Sequence, residues 1–218
     1  MRFPVLQQID DYWARLRGAE AVPARAHLNP RDIHYALSAC FVLERIAPGV
    51  ARFRLAGSHL NDLMGMEVRG LPLSSIFLPG ARERMRGALQ QVFDSPAKAW
   101  ITLSADRGIG KPPLDACLLL LPMRSDDGQV SLALGCLATL GAPGRRPRRF
   151  DVRSTSVTSI RLDGSIEVPE TAPDRWPDGP RSPVAEVAGF AEAARSFRPS
   201  PHRPPRTERP NLYLVSNA

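Results

Sequence analysis

Phe41-Val42-Leu43-Glu44 and Arg52-Phe53-Arg54-Leu55-Ala56-Gly57 lead into the glycine-spaced run Gly57-Ser58-His59-Leu60-Asn61-Asp62-Leu63-Met64-Gly65-Met66-Glu67-Val68-Arg69-Gly70, and this stretch decides how the chain folds. The first two segments carry the β-branched and aromatic residues of strands. Between them, Pro48-Gly49 suits the two central places of a type II turn, which returns the chain antiparallel. The run that follows has glycines at each sharp bend, so it reads as short helical turns. Such an arrangement builds a pocket wall.

Upstream, Val5 to Gly18 has Leu6, Ile9, Trp13 and Leu16 on one helical stripe, with Gly18 placed to end the helix. A second helix is announced by Asn29 as cap, Pro30 at the first helical position and Asp32 in the first turn, and is expected to run through Leu37. Downstream, Pro79 to Phe93 is the longest helix, with Met85, Leu89, Val92 and Phe93 toward the core. Strands are expected over Ala39 to Ile46, Val50 to Ala56, Lys98 to Ser104, Asp115 to Met123 and Val130 to Leu140, with Ser125-Asp126-Asp127-Gly128 closing the last hairpin. In the final strand Leu132, Leu134 and Cys136 alternate with Ala133 and Gly135. The aliphatic face is expected under the central helices, and the small-residue face has room for the Trp13 helix of the same chain or of a partner.

From Pro143 the chain changes character, with twelve prolines among its last 76 residues. Residues 1–142 are therefore read as one domain and 143–218 as a mostly disordered tail. The tail is interrupted by a small hairpin around Asp163-Gly164, a weakly apolar helix over Val184 to Phe197 and the apolar Leu212-Tyr213-Leu214-Val215. These islands are candidates for contact with a partner protein.

The chain of 218 residues carries a formal charge of +7, nearly all from arginine, because lysine occurs only at Lys98 and Lys111. Arg145-Arg146-Pro147-Arg148-Arg149 forms one dense cluster, which is read as a solvated linker. Without aromatic interleaving, zinc spacing or a recognition helix, contact with nucleic acid is not supported. Cys40, Cys117 and Cys136 each sit in an apolar strand and suit reduced, buried thiols, which points to the cytoplasm. The longest apolar run, Ala116 to Leu121, is far short of the ~20 residues a membrane span needs.

The order of two strands, helices and three strands resembles a PAS sensor domain. Gly65, Glu67, Gly70 and Leu73 to Phe77 fill the places of its signature. A family of short bacterial PAS-only proteins is more closely similar, through Tyr12-Trp13, Arg17, Pro23, Arg25, Asn29-Pro30, Phe41 to Glu44, Arg52 to Gly57, Leu119-Leu120-Leu121-Pro122 and Leu134-Gly135. The resemblance covers Val5 to Leu140. It implies an α+β fold with a five-stranded antiparallel sheet and helices on one face. It further implies a signal-transduction module without catalysis that binds a small apolar ligand or a partner protein. The cavity would be lined by Phe41, Phe53, Leu55, Leu63, Met85, Leu89, Leu132 and Leu134, with Glu44, Arg52, Arg54 and His59 at its polar rim. A homodimer would form through Ile9, Trp13 and Leu16.

Each cofactor of that family must still be met by residues. Haem would need an axial ligand, and the Pro79 to Phe93 helix has no histidine. Flavin photochemistry in light-sensing relatives uses a cysteine within Asn-Cys-Arg on a helix, a run absent here. No cofactor is therefore expected. Glu44 has two registers open to it: a two-residue hairpin closed by Ala47 and Val50 sets it opposite Phe53, whereas a one-residue bulge pairs it with an arginine. The pair would anchor a polar ligand or, as the preferred reading, serve as a structural ion pair.

Two rival functions stand beside this reading. An enzyme lacks support, since there is no nucleophile elbow or metal spacing, and Pro112-Pro113 denies Gly108-x-Gly110-Lys111 the helix a phosphate loop requires. An arginine-rich cyclic-dinucleotide or nucleic-acid binder is the alternative, through Arg149-x-x-x-Arg153 and a poor second element at Asp163-Gly164-Ser165.

Overall fold

A computed structural model describes residues 3–160. Its six strands are β1 (Cys40–Ala47), β2 (Val50–Ala56), β3 (Ala97–Ala105), β4 (Asp115–Arg124), β5 (Val130–Leu140) and β6 (Phe150–Ser159). They form one antiparallel sheet in the order β2-β1-β5-β4-β3-β6. The Pro48-Gly49 turn is present, with Gly49 at φ +67° and Ala47 paired to Val50. Glycine alone takes that backbone angle without steric cost.

The helices are α1 (Pro4–Arg17), α2 (Ser58–Met64) and α3 (Arg82–Asp94). Proline opens α1 and Arg15 and Arg17 sit in its last turn, where positive charge complements the free carbonyls. Asn29 caps as expected, its side chain accepting from the Arg31 N–H at 3.1 Å. The segment it opens is not an α-helix, however, but the 3-10 turns Pro30–Ala36, broken at Ile33 and ending before Leu37. Gly65, at φ +70°, stops α2 with its N–H on the Asn61 carbonyl.

Both faces of the sheet are covered. One core lies between the sheet and α2 and α3, and includes Phe41, Leu43, Phe53, Leu63, Met85 and Leu89. The other lies under α1, where Leu6, Ile9 and Trp13 meet Leu119, Leu121, Leu132 and Leu134. The expected assignment of the β5 faces is thus reversed. Its aliphatic side faces α1, and its small-residue side faces the central helices. The physical reason is Phe41: a Cβ on Gly135 would come within 2.1 Å of that ring, so the small face makes room for the bulkiest side chain of the opposing strand.

The sheet has six strands, not five. β6 pairs with β3 along its whole length, and Phe150 and Val152 are buried in the core. The fold therefore continues past the boundary expected at residue 142. An edge strand needs few apolar residues, so β6 hid behind its serines and threonines. The islands at Asp163-Gly164, Val184 to Phe197 and Leu212 to Val215 lie outside the described residues.

Candidate functional site

The space between the sheet and the central helices is where the resemblance places a ligand. The Phe41 and Phe53 rings meet there edge to face, with centroids 5.3 Å apart, a favourable geometry for two aromatic quadrupoles. Leu63, Met85 and Leu89 are buried around them. These five expected cavity residues all belong to the one buried core between the sheet and the central helices. Leu132 and Leu134 do not join them, because they lie in the α1 core, and Leu55 is half exposed.

Of the rim candidates, Glu44, Arg52 and Arg54 come together. A register shift between Arg45 and Ala47 places Glu44 opposite Arg52, the bulged alternative of the two registers. Arg52 Nε donates to Glu44 Oε2 at 2.9 Å, its Nη2 lies 2.8 Å from the same oxygen, and Arg54 Nη1 is 3.7 Å from Oε1. A second shift between Val42 and Leu43 leaves Arg54 without a direct cross-strand partner. These residues line an open depression of about 330 Å³ with Phe53, Arg69 and Gly70. Sequence reasoning missed Arg69, although its place just before the signature glycine was a signal.

His59 is elsewhere. Its Nε2 is 3.1 Å from Thr139 Oγ1, near the end of β5, whereas Glu44 pairs with Leu132 seven residues earlier. At ~3.3 Å per strand residue this separates them by about 23 Å. Burial holds the His59 imidazole below its usual range, against an opposing pull from Asp62.

The expected dimer residues Ile9 and Trp13 are fully buried within the chain, with Leu16 partly buried against the same core. Trp13 Nε1 donates to the Pro122 carbonyl at 2.9 Å. Lys98, itself buried, stands 5.1 Å over the ring and pairs with Asp10 at 2.6 Å. The apolar stripe of α1 is used up in this chain's own core.

In the arginine cluster Arg145, Arg146 and Arg149 are exposed, as a solvated linker would have them, and Arg148 is the exception. Arg148 is fully buried, and its guanidinium donates to the carbonyls of Pro143, Asp106 and Pro112, the last two at 2.9 Å. Lys111 Nζ reaches Asp106 Oδ2 at 2.5 Å and the Pro147 carbonyl at 2.8 Å, which explains the lysine after Gly110 without a phosphate. Burial alone would raise the Asp106 carboxyl. Lys111, the Arg149 N–H and the Arg148 charge outweigh it and hold the group below its usual range. Arg149 immediately precedes β6 and Arg153 lies within it, with Arg153 Nε donating to Ser104 Oγ at 2.7 Å.

Among the three cysteines, burial pushes Cys117 up to about 11. Cys136 is raised by its hydrogen bond to Cys40 and by burial. All three are free and sit in the α1 core.

A mixed-order antiparallel sheet, with short helices across one face and an N-terminal helix across the other, defines a domain of the α+β class. A family model described as PAS domain matches residues 1–138, and the chain belongs to that family. The match ends before β6, so the sixth strand and the Arg148 contacts lie beyond the matched span. Two solved structures are similar at low identity. The light-state structure of the blue-light photoreceptor Aureochrome1 LOV is 14% identical with a TM-score of 0.37, covering 51% of this chain and 88% of that one. Its dark structure is likewise 14% identical at 0.37, covering 50% and 80%. No curated protein matches the chain.

Proposed function

We propose that this chain is a non-catalytic PAS signalling module that acts by contact with a partner protein, in a reducing compartment such as the cytoplasm. The observation that carries the reading is the apolar core where a ligand would otherwise sit: Phe41, Phe53, Leu63, Met85 and Leu89 are all buried in it, and the two rings meet edge to face. Signals then have to enter and leave through the surface. No helix among the described residues is long and apolar enough to cross a membrane.

The side chains present do not fit the usual cofactors of such domains. A flavin adduct needs a thiol on the helical side of the sheet, and Cys40, Cys117 and Cys136 are all on the α1 side. Haem needs an axial ligand free to bind iron. The α3 helix has no histidine, and His59 is engaged with Thr139. A homodimer through α1 would have to use that helix's outer, polar face, since Ile9 and Trp13 are spent.

The test is uptake of an apolar fluorescent probe. The native chain is expected to bind none, while Phe41→Ala, which opens a cavity beside Phe53, is expected to bind it. Stoichiometric uptake by the native chain would overturn the reading in favour of a ligand sensor.

A further inference from the structure

We propose that Arg52, Arg54 and Arg69 form a surface site for a phosphate monoester. This goes beyond the signalling role above and does not depend on it. The bulge in β1 brings Glu44 beneath two guanidiniums at once: Arg52 spends Nε and one terminal nitrogen on Oε2, and Arg54 stands 3.7 Å from Oε1. A guanidinium has five N–H donors, so both keep most of theirs for another acceptor. The carboxylate fixes the two cations side by side without using them up.

The third cation is positioned by backbone. The Gly70 N–H donates to the Phe53 carbonyl at 2.8 Å, and the Phe53 N–H donates to the Leu71 carbonyl at 2.9 Å, so the loop lies alongside β2. Gly70 has φ +82°, a conformation that favours glycine and lets the loop turn there. Arg69, one residue before it, lines the same depression and has no ion-pair partner among the described residues. Three cations and one anion leave a local charge of +2 around an open space of about 330 Å³.

That charge selects the ligand class. A phosphate monoester carries about −1.5 to −2 at neutral pH and offers three terminal oxygens, which matches guanidinium forks from two sides. A monocarboxylate would leave the surplus charge unmatched. The phosphate can belong to a free metabolite or to a phosphorylated side chain of a partner, and the same oxygens serve either.

The experiment is an NMR titration of the full chain with inorganic phosphate at low salt, following backbone amides and arginine Nε–Hε signals. Expected are saturable shifts at Arg52, Arg54, Arg69 and Gly70, weakening as salt rises. Arg69→Gln, at an exposed position, is expected to keep the melting temperature and weaken binding about ten-fold, since a charge-assisted contact is lost. Arg153→Gln, on the far edge strand, is expected to leave binding unchanged. A short phosphoserine peptide that binds at least ten-fold tighter than phosphate identifies a partner protein as the source, and equal affinity identifies a small molecule. Shifts spread over all arginines, equal binding by Arg69→Gln, or succinate binding as tightly as phosphate would each overturn the assignment.

Discussion

Arg148 and Asp106 hold each other across the gap between the start of β6 and the loop after β3. The fully buried guanidinium donates through Nη2 to the Asp106 carbonyl at 2.9 Å, and its Nε lies 3.4 Å from Asp106 Oδ1. The backbone repeats the contact, with the Asp106 N–H on the Arg149 carbonyl at 2.7 Å. One arginine thus ties the edge strand to the sheet. Replacing it by Met leaves the carbonyls of Pro143, Asp106 and Pro112 without the guanidinium that donates to them, while Asp106 keeps Lys111 and the Arg149 N–H. Arg148→Met is expected to cost about 1 to 3 kcal/mol, read from urea unfolding. Truncation after residue 142 removes the same contacts together with Phe150 and is expected to abolish cooperative unfolding. An unchanged urea midpoint in either variant would show the tie to be dispensable.

The same aspartate sets an acid limit. Asp106 is held below the ordinary aspartate value by Lys111 and its neighbours, despite burial. A carboxyl depressed in the folded state stabilises above its unfolded value, ~3.9, and that contribution is lost as pH falls from there through the lower folded value. Stability measured by urea between pH 2 and 6 should therefore decline below about pH 4. Lys111→Met, which removes the largest of the lowering contacts, should flatten that decline.

Trp13 is expected to matter for folding and not for assembly. The ring is fully buried, donates to the Pro122 carbonyl and carries Lys98 on its face. Trp13→Ala should destabilise by about 3 to 5 kcal/mol in chemical denaturation. The elution volume in size-exclusion chromatography should not change; a shift to half the native mass would mean that the helix joins two copies.

Gly135→Ala tests the reversal of the β5 faces. The new methyl would lie 2.1 Å from Phe41 Cε2 and Cζ, and that ring is hemmed in by Phe53. Overpacking of this kind costs about 1 to 3 kcal/mol. Phe41→Leu in the same chain should restore part of the loss. If Gly135→Ala alone is neutral, the ring is not where the sheet places it.

The first five strands were legible because each has local signals that agree with its place: alternation in Val130 to Leu140, a Pro-Gly turn at 48 and 49, an Asp-Gly turn at 127 and 128. Asn29-Pro30 fixed the start of a helical segment but not its type, since capping says nothing about whether four-residue or three-residue hydrogen bonds follow. The face of β5 was misread because side-chain size within one strand does not reveal which neighbour needs the room; Phe41 decides it from another strand. β6 was missed since Arg153-Ser154-Thr155-Ser156 has no apolar face to detect, and its partner Arg148 looks like any surface arginine until Asp106, Pro112 and Pro143 are brought around it. The Glu44 pairing depended on a one-residue bulge, which no local motif announces.

Native mass spectrometry of freshly purified chain, with an absorption spectrum of the same sample, tests the ligand-free reading of the core most directly. The expected result is a mass equal to the 23.9 kDa polypeptide or a whole multiple of it, with no absorbance beyond that of tryptophan and tyrosine. A retained small molecule released only on unfolding would contradict it.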